Sequence, residues 1–264
     1  MHLINIQGVI FLTSSLFFVS LNGIIILDSL RGDFMNFSGF QKLTLLDYPG
    51  KVACTLFTSG CNLRCPFCHN ASLVTHIDNM NIYKKEEILS YLKKRKGILE
   101  GVCISGGEPL LQPKIADFIK EVKDLGLLVK LDTNGFYPDK LISLVKEGLI
   151  DYVAVDFKNS YEKYALTTGI ENLDITPFKK TVKFLLSGMV DFEFRTTVVD
   201  GLHETQDIVE IAKTIKGAPR YFLQSFVDSG DLIGDGFCAI LPTEMEKMAV
   251  LAREFVPNTE IRGI

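Results

Sequence analysis

The sequence predicts an α/β chain wound as an incomplete (β/α)6 barrel. Three observations carry that expectation. From Val52 onward, a short apolar and β-branched run is followed repeatedly by a stretch with helical periodicity. Glycine and proline punctuate the ends of those stretches. The chain has 264 residues, of which 47% are hydrophobic, enough to bury one large core. Strands and helices that alternate with short connections wind a parallel, right-handed sheet, and six such units, not eight, leave the barrel open at one side. An opening of that kind suits a macromolecular substrate that pushes a backbone segment into the site.

In chain order, the first strand runs from Val52 to Thr58, the second from Gly101 to Ser105 and the third from Leu127 to Leu131. The fourth spans Tyr152 to Val155, the fifth Phe192 to Val198 and the sixth Tyr221 to Gln224. Runs of this composition suit strands buried on both faces. Between them, Pro113 opens a stripe of Ile115, Phe118, Ile119, Val122 and Leu125 that Gly126 closes, and Pro138 precedes Leu141, Leu144 and Val145 ahead of Gly148. Ile208, Ile211, Ala212 and Ile215 form another stripe ended by Gly217, and Thr243 with Glu246 reads as a capping box for the last helix. These stripes are core contacts.

Ahead of this domain, residues 3 to 27 carry no Asp, Glu, Lys or Arg. The stretch is long enough to span a bilayer, yet Asn5, Gln7, Thr13, Ser14 and Ser15 interrupt it, and no basic segment or small-residue cleavage box marks a signal peptide. The preferred expectation is an apolar extension over residues 1–34 from an over-extended reading frame that truly starts at Met35, with a membrane anchor as the alternative and residues 35–264 as the functional domain. If an anchor, Arg31, Lys42 and Lys51 keep the rest cytoplasmic. The cytoplasm is the expected location either way. A net charge of -4 argues against a nucleic-acid surface.

Six cysteines sort into two groups. Cys54 and Cys103 lie in apolar runs and read as small buried hydrophobes, and Cys238 stands alone. Cys61, Cys65 and Cys68 are spaced C-x3-C-x2-C in a loop directly after the first strand, a pattern that points to metal ligands and not to a disulfide. Structural zinc wants four closed ligands, but no second knuckle exists and His69 is badly placed beside Cys68. An iron–sulfur cluster fits better, because three protein sulfurs on a four-iron cubane leave one iron open to a small molecule. A zinc-binding or iron–sulfur electron-transfer protein stays open on spacing alone.

The remaining unusual residues fall at strand ends, where barrels of this type gather their chemistry. Gly106, Gly107, Glu108 and Pro109 follow the second strand, and two glycines there let backbone approach a ligand. Asp132, then Asn134 and Gly135 in an Asx-type turn, follow the third. Asp156 and Lys158, two residues apart, share one side of an extended stretch after the fourth. Arg195 interrupts the apolar fifth strand, Gln224 ends the sixth as a site-lining residue, and His203 reads as an ordinary loop histidine.

The cysteine triplet, with Phe67 just before Cys68, resembles the signature of the radical S-adenosylmethionine (SAM) superfamily, and Gly106-Gly107-Glu108-Pro109 resembles its GGEP motif. The resemblance implies a partial TIM barrel holding one 4Fe-4S cluster on Cys61, Cys65 and Cys68. It also implies S-adenosylmethionine bound on the open iron beside Phe67, Asn70, Gly106, Gly107, Glu108 and Pro109, with the GGEP segment cradling the methionine amino group. Asp132 and Asp156 match positions that glycyl-radical activating enzymes place near a monovalent cation and the cofactor, and Lys158 one near the cofactor carboxylate; Arg195, from its place in an apolar strand, is a candidate neighbour of the cofactor or the cluster. From about Met35 onward the chain is most similar to activating proteins of anaerobic ribonucleoside-triphosphate reductases. The activity implied is reductive cleavage of S-adenosylmethionine to methionine and a 5'-deoxyadenosyl radical, which takes hydrogen from a backbone glycine of the partner, with electrons from a flavodoxin- or ferredoxin-type donor. An activase of pyruvate formate-lyase, or a radical enzyme acting on a small molecule, would share these motifs.

Overall fold

The computed structural model describes residues 5–6, 9–10, 35–76 and 82–263. Apart from an antiparallel pairing of Asn5–Ile6 with Val9–Ile10, the expectation for residues 1–34 lies outside the described residues. Among the described residues no helix is long and apolar enough to cross a membrane. The packed core takes in Met35 and Phe37 at its start.

The main sheet has eight strands: β1 (Gly39–Thr44), β2 (Ala53–Thr58), β3 (Gly101–Gly106), β4 (Leu128–Thr133), β5 (Tyr152–Asp156), β6 (Asp191–Val198), β7 (Tyr221–Ser225) and β8 (Thr259–Arg262). Their spatial order is the chain order, β1 pairs antiparallel with β2, and every other neighbouring pair is parallel. The end strands β1 and β8 do not pair with each other, so the barrel is unclosed, as expected. All six expected strands are present. Two outer strands are added to them: β8 pairs parallel beyond β7, and β1 covers the other edge. Both are outer strands with mixed sequences, GFQKLT and TEIR, and neither carries the apolar run that marks a strand buried on both faces.

Eight helices are used below: α1 (Ala71–Thr75), α2 (Lys85–Lys94), α3 (Ile115–Asp124), α4 (Pro138–Lys146), α5 (Tyr164–Thr168), α6 (Thr176–Leu185), α7 (Thr205–Thr214) and α8 (Pro242–Arg253). The expected stripes are the buried ones: Ile115, Phe118, Ile119 and Val122 on α3, and Leu141, Leu144 and Val145 on α4. Gly126 and Gly148 end these helices with φ of 81° and 70°, the left-handed region that glycine enters without steric cost. The expected capping box on α8 does not form. Proline decides the start of this helix instead: Pro242, with φ already fixed for a helix and no N–H to satisfy, takes the first turn, so the helix starts before Thr243 and its N-cap is Leu241.

Parallel winding brings the carboxyl ends of β2 to β7 to one rim, and the alternation of side chains along a strand sends every second residue inward. The residues with chemistry occupy that rim.

Candidate active site

Residues 59–70 leave β2 as a loop tied down from three sides. The Gly60 amide donates to the Leu73 carbonyl of α1 (2.8 Å), the Arg64 amide to Thr168 at the end of α5 (2.9 Å), and the Gly234 amide to the Pro66 carbonyl (2.8 Å). That last bond belongs to residues 226–240, a strap from β7 that crosses the cysteine loop. The Asp231 carboxylate accepts from the Ser72 amide, and Phe237 meets Phe67 edge-on.

Cys61, Cys65 and Cys68 are free thiols on the wall of a cavity of about 440 Å³, which Phe67, Asn70, Gly106, Gly107, Asp132, Asp156, Lys158, Arg195 and Gln224 also line. Burial pushes the Cys65 thiol up to about 12 and raises that of Cys61, so binding a metal on these two sulfurs releases protons. The donor set fits an iron–sulfur cluster: three thiols come from one loop onto one cavity wall. A lone metal ion fits less well, since among the described residues no three His, Cys, Asp or Glu side chains converge as one ion requires.

The GGEP segment also has a structural part, while its Gly106 and Gly107 line the cavity. A Cβ on Gly107 would lie 2.0 Å from the Gly60 carbonyl oxygen, and one on Gly106, at φ 111°, would lie 2.4 Å from that of Thr58. The glycines therefore press the exit of β3 against the start of the cysteine loop, with Gly107 donating to Thr58 and Glu108 to Gly60. Asn70 Nδ2 donates to the Gly106 carbonyl at 3.1 Å and fastens the far end of the loop to the same point.

Glu108 and Pro109 do not line the cavity. Pro109 starts a short 3-10 turn, and the Glu108 carboxyl, wholly buried, accepts from the amides of Leu110 and Asn134 and from the Thr133 hydroxyl, holding the exit of β4 to that of β3. Burial pushes its carboxyl up from 4.5 to about 7, against those three donors. A raised folded value means that Glu108 stabilises in full below pH 4.5 and loses that contribution as pH rises through 7. The contribution is on the order of 3 kcal/mol. Denaturant unfolding of the cluster-free protein at pH 5 and pH 8 is expected to show a difference smaller by roughly that amount in E108Q, and equal pH slopes would refute the assignment.

A row of alternating charge crosses the strand ends. Lys130 pairs with Asp132 Oδ1; Arg195 reaches Asp132 Oδ2 at 3.2 Å and Asp156 Oδ1 at 2.9 Å; Lys158 reaches Asp156 Oδ2 at 3.0 Å. Burial disfavours the charge on Asp156, but Arg195 and Lys158 outweigh it and hold the carboxyl well below its usual range; at Asp132, Arg195 and Lys130 likewise outweigh burial and lower the carboxyl. The Ser105 hydroxyl also donates to Asp132, so all four carboxylate oxygens have partners.

Several neighbours escaped the sequence reading. Lys130 is buried in a strand read as apolar; a lysine two residues before Asp132, on the same strand face, was the signal for it. Asn134 does form the expected turn, its Oδ1 accepting from the Phe136 amide, but its Nδ2 also donates to Asn62 at 2.7 Å and lies 3.6 Å from Cys61 Sγ. Asp47 enters the cavity from the turn before β2, where it accepts from Thr55. His203 is buried and bonded, not an ordinary loop histidine.

With this geometry in place, comparison with known proteins is decisive. Residues 55–220 match the family model of the radical SAM superfamily. The chain belongs to that superfamily. Within the radical SAM enzymes it is 32% identical over 235 residues to a protein of Methanocaldococcus jannaschii provisionally named a glycyl-radical enzyme activating enzyme, covering 86% of this chain and 95% of the relative. It is 27% identical over 187 residues to the pyruvate formate-lyase-activating enzyme of Clostridium pasteurianum, covering 68% and 77%. Among solved structures, Streptococcus suis SuiB superposes with a TM-score of 0.63 at 14% identity, over 80% of this chain and 49% of SuiB, so the chain spans about half of that protein and the likeness speaks to the fold. This radical SAM enzyme is thus of the glycyl-radical activating type. The family implies a 4Fe-4S cluster and S-adenosylmethionine.

Proposed function

We propose that the enzyme activates anaerobic ribonucleoside-triphosphate reductase by taking a hydrogen atom from a backbone glycine of that partner, with a flavodoxin- or ferredoxin-type protein as electron donor. The observation that carries the reading is the meeting, in one cavity, of three free thiols from a single loop with the cation-rich row of strand ends. When bound, a 4Fe-4S cluster supplies the electron that breaks a carbon–sulfur bond of the S-adenosylmethionine sulfonium.

The chain's own residues do the rest. Cys61, Cys65 and Cys68 would hold the cluster, three protein sulfurs for four irons, so that one iron would stay open to the cofactor. The row of strand ends carries three cations, Lys130, Arg195 and Lys158, against two anions, Asp132 and Asp156, and Lys158 on the cavity wall receives the cofactor carboxylate. Phe67 and the strap over the cysteine loop exclude water from the sulfonium. The unpaired side of the barrel admits the glycine segment. The oxygens of Asp132 and Asp156 already meet Lys130, Ser105, Arg195 and Lys158, and a monovalent cation forms no part of the proposal. We place the enzyme in the cytoplasm, where thiols stay reduced, with residues 35–264 as the working unit.

The likeness to the Clostridium pasteurianum enzyme favours a second partner, pyruvate formate-lyase. One experiment separates them. The full chain, loaded anaerobically with iron and sulfide and then reduced, is mixed with S-adenosylmethionine and with each purified partner in turn. Production of 5'-deoxyadenosine, together with a glycyl-radical electron paramagnetic resonance signal on the reductase, is expected. A signal on the lyase alone reassigns the partner. No 5'-deoxyadenosine with either partner, from protein that holds an intact cluster, returns the chain to electron transfer.

A further inference from the structure

His203 lies between β6 and α7, behind the cavity wall, and is only 4% exposed. Both of its ring nitrogens are committed to main chain. Nδ1 accepts from the Val199 amide at 3.1 Å, and Nε2 stands 2.7 Å from the Lys158 carbonyl oxygen. An amide can only donate and a carbonyl can only accept, so the ring is neutral with its proton on Nε2, and it donates to Lys158. Burial lowers its proton affinity, which agrees with a neutral ring.

The geometry around Lys158 gives this bond its meaning. The Lys158 amide donates to the Tyr164 hydroxyl at 3.3 Å, so its peptide groups are gripped on both sides by buried side chains, while its ammonium alone reaches forward into the cavity. The next residue is held too, with Asn159 Nδ2 donating to the Leu202 carbonyl, one residue before His203, and to Thr167. The His203 ring also packs edge-on against Phe67, which precedes Cys68, with ring centres 6.2 Å apart. One side chain thus touches the turn after β6, the exit of β5 and the cysteine loop. It does not touch the cavity itself.

We propose that His203 is a positioning residue: through the main chain of Lys158 it sets where the ammonium stands, and so how tightly the enzyme grips the carboxylate of S-adenosylmethionine. The inference rests on the reading that Lys158 receives that carboxylate. A lysine on an untethered loop samples many positions for its charge. Fixing the carbonyl of that residue removes the backbone part of the freedom before the ligand arrives.

The two ring nitrogens can be tested separately. H203Q keeps a donor within reach of the Lys158 carbonyl and loses the acceptor for Val199; H203N does the reverse. The readout is the equilibrium affinity of the anaerobically loaded full chain for S-adenosylmethionine, by dialysis without turnover, alongside the thermal midpoint. H203N is expected to weaken affinity roughly five- to tenfold, the worth of one buried hydrogen bond, and H203Q less than about twofold. In K158A, itself expected to weaken binding by tenfold or more, adding H203N should cost nothing further, since the two act through one group. Equal losses in H203N and H203Q, the reverse order, or full additivity with K158A would overturn the proposal. Unchanged affinity in K158A alone sinks instead the reading of Lys158 on which it rests. Should H203N not fold, Y164F loosens the same peptide from its other side and takes its place in the cycle, with a loss of about two- to threefold that vanishes in K158A.

Discussion

Cys65→Ala is expected to reduce 5'-deoxyadenosine formation to background, a loss of roughly three orders of magnitude or more, while leaving the polypeptide folded. Cys65 is the most enclosed of the three loop thiols, buried where Cys61 and Cys68 are only partly so. Its removal leaves two sulfurs for a cluster that needs three. The fold should tolerate it, because Cys and Ala differ little in volume and the loop is held by main-chain bonds from Leu73, Thr168 and Gly234 that the substitution does not touch. Iron content and far-ultraviolet circular dichroism separate the two effects: iron falls and helicity stays. Because the three ligands act as a unit, C61A, C68A and the triple variant should lose no more than C65A does. Cys103→Ala is the matched control, a fully buried cysteine outside the loop whose sulfur faces Lys130, and it should keep its iron. Undiminished product from C65A, or loss of iron from C103A, would remove the ligand assignment.

How far the sequence reaches depends on how far apart the interacting residues lie. The inner strands are legible because burial on both faces leaves an apolar run bounded by glycine or proline. Strand β8 is not, since four residues with two charges look like any surface segment. The site was legible wherever one short stretch carried the pattern, as with the cysteines, or Asp156 with Lys158. It was illegible where the partner is remote. Glu108 looks like a carboxylate offered to a ligand until Thr133, 25 residues on, is seen to donate to it. His203 looks idle until Lys158, 45 residues back, is found against its ring. The failed capping box on α8 is the local case: Thr243 and Glu246 have the right spacing, but Pro242 had already started the helix.

Arg195→Met should destabilise the cluster-free protein by about 3 kcal/mol, read as a fall in the urea midpoint at unchanged slope. The guanidinium is 15% exposed and is the cation that touches both Asp132 and Asp156, from a strand adjacent to only one of them. Breaking a buried pair by removing one member costs about 3–5 kcal/mol, because the remaining charge keeps its desolvation penalty. The lower end applies here, since Asp132 retains Lys130 and Ser105 and Asp156 retains Lys158. An exposed pair sets the scale: Lys180 and Asp139 meet with side chains 53% and 85% exposed, and K180M should change stability by less than about 0.5 kcal/mol. The pH response carries the sign. Both aspartates are depressed in the folded state, so their contribution is present above their ordinary value of 3.8 and is lost as pH falls. Removing Arg195 raises both, and acid unfolding of R195M should begin at higher pH than in the parent. If a guanidinium this deep can be deleted at the cost of a surface lysine, the row of charges is not a coupled structure, and the cation excess assigned to the cofactor carboxylate loses its support.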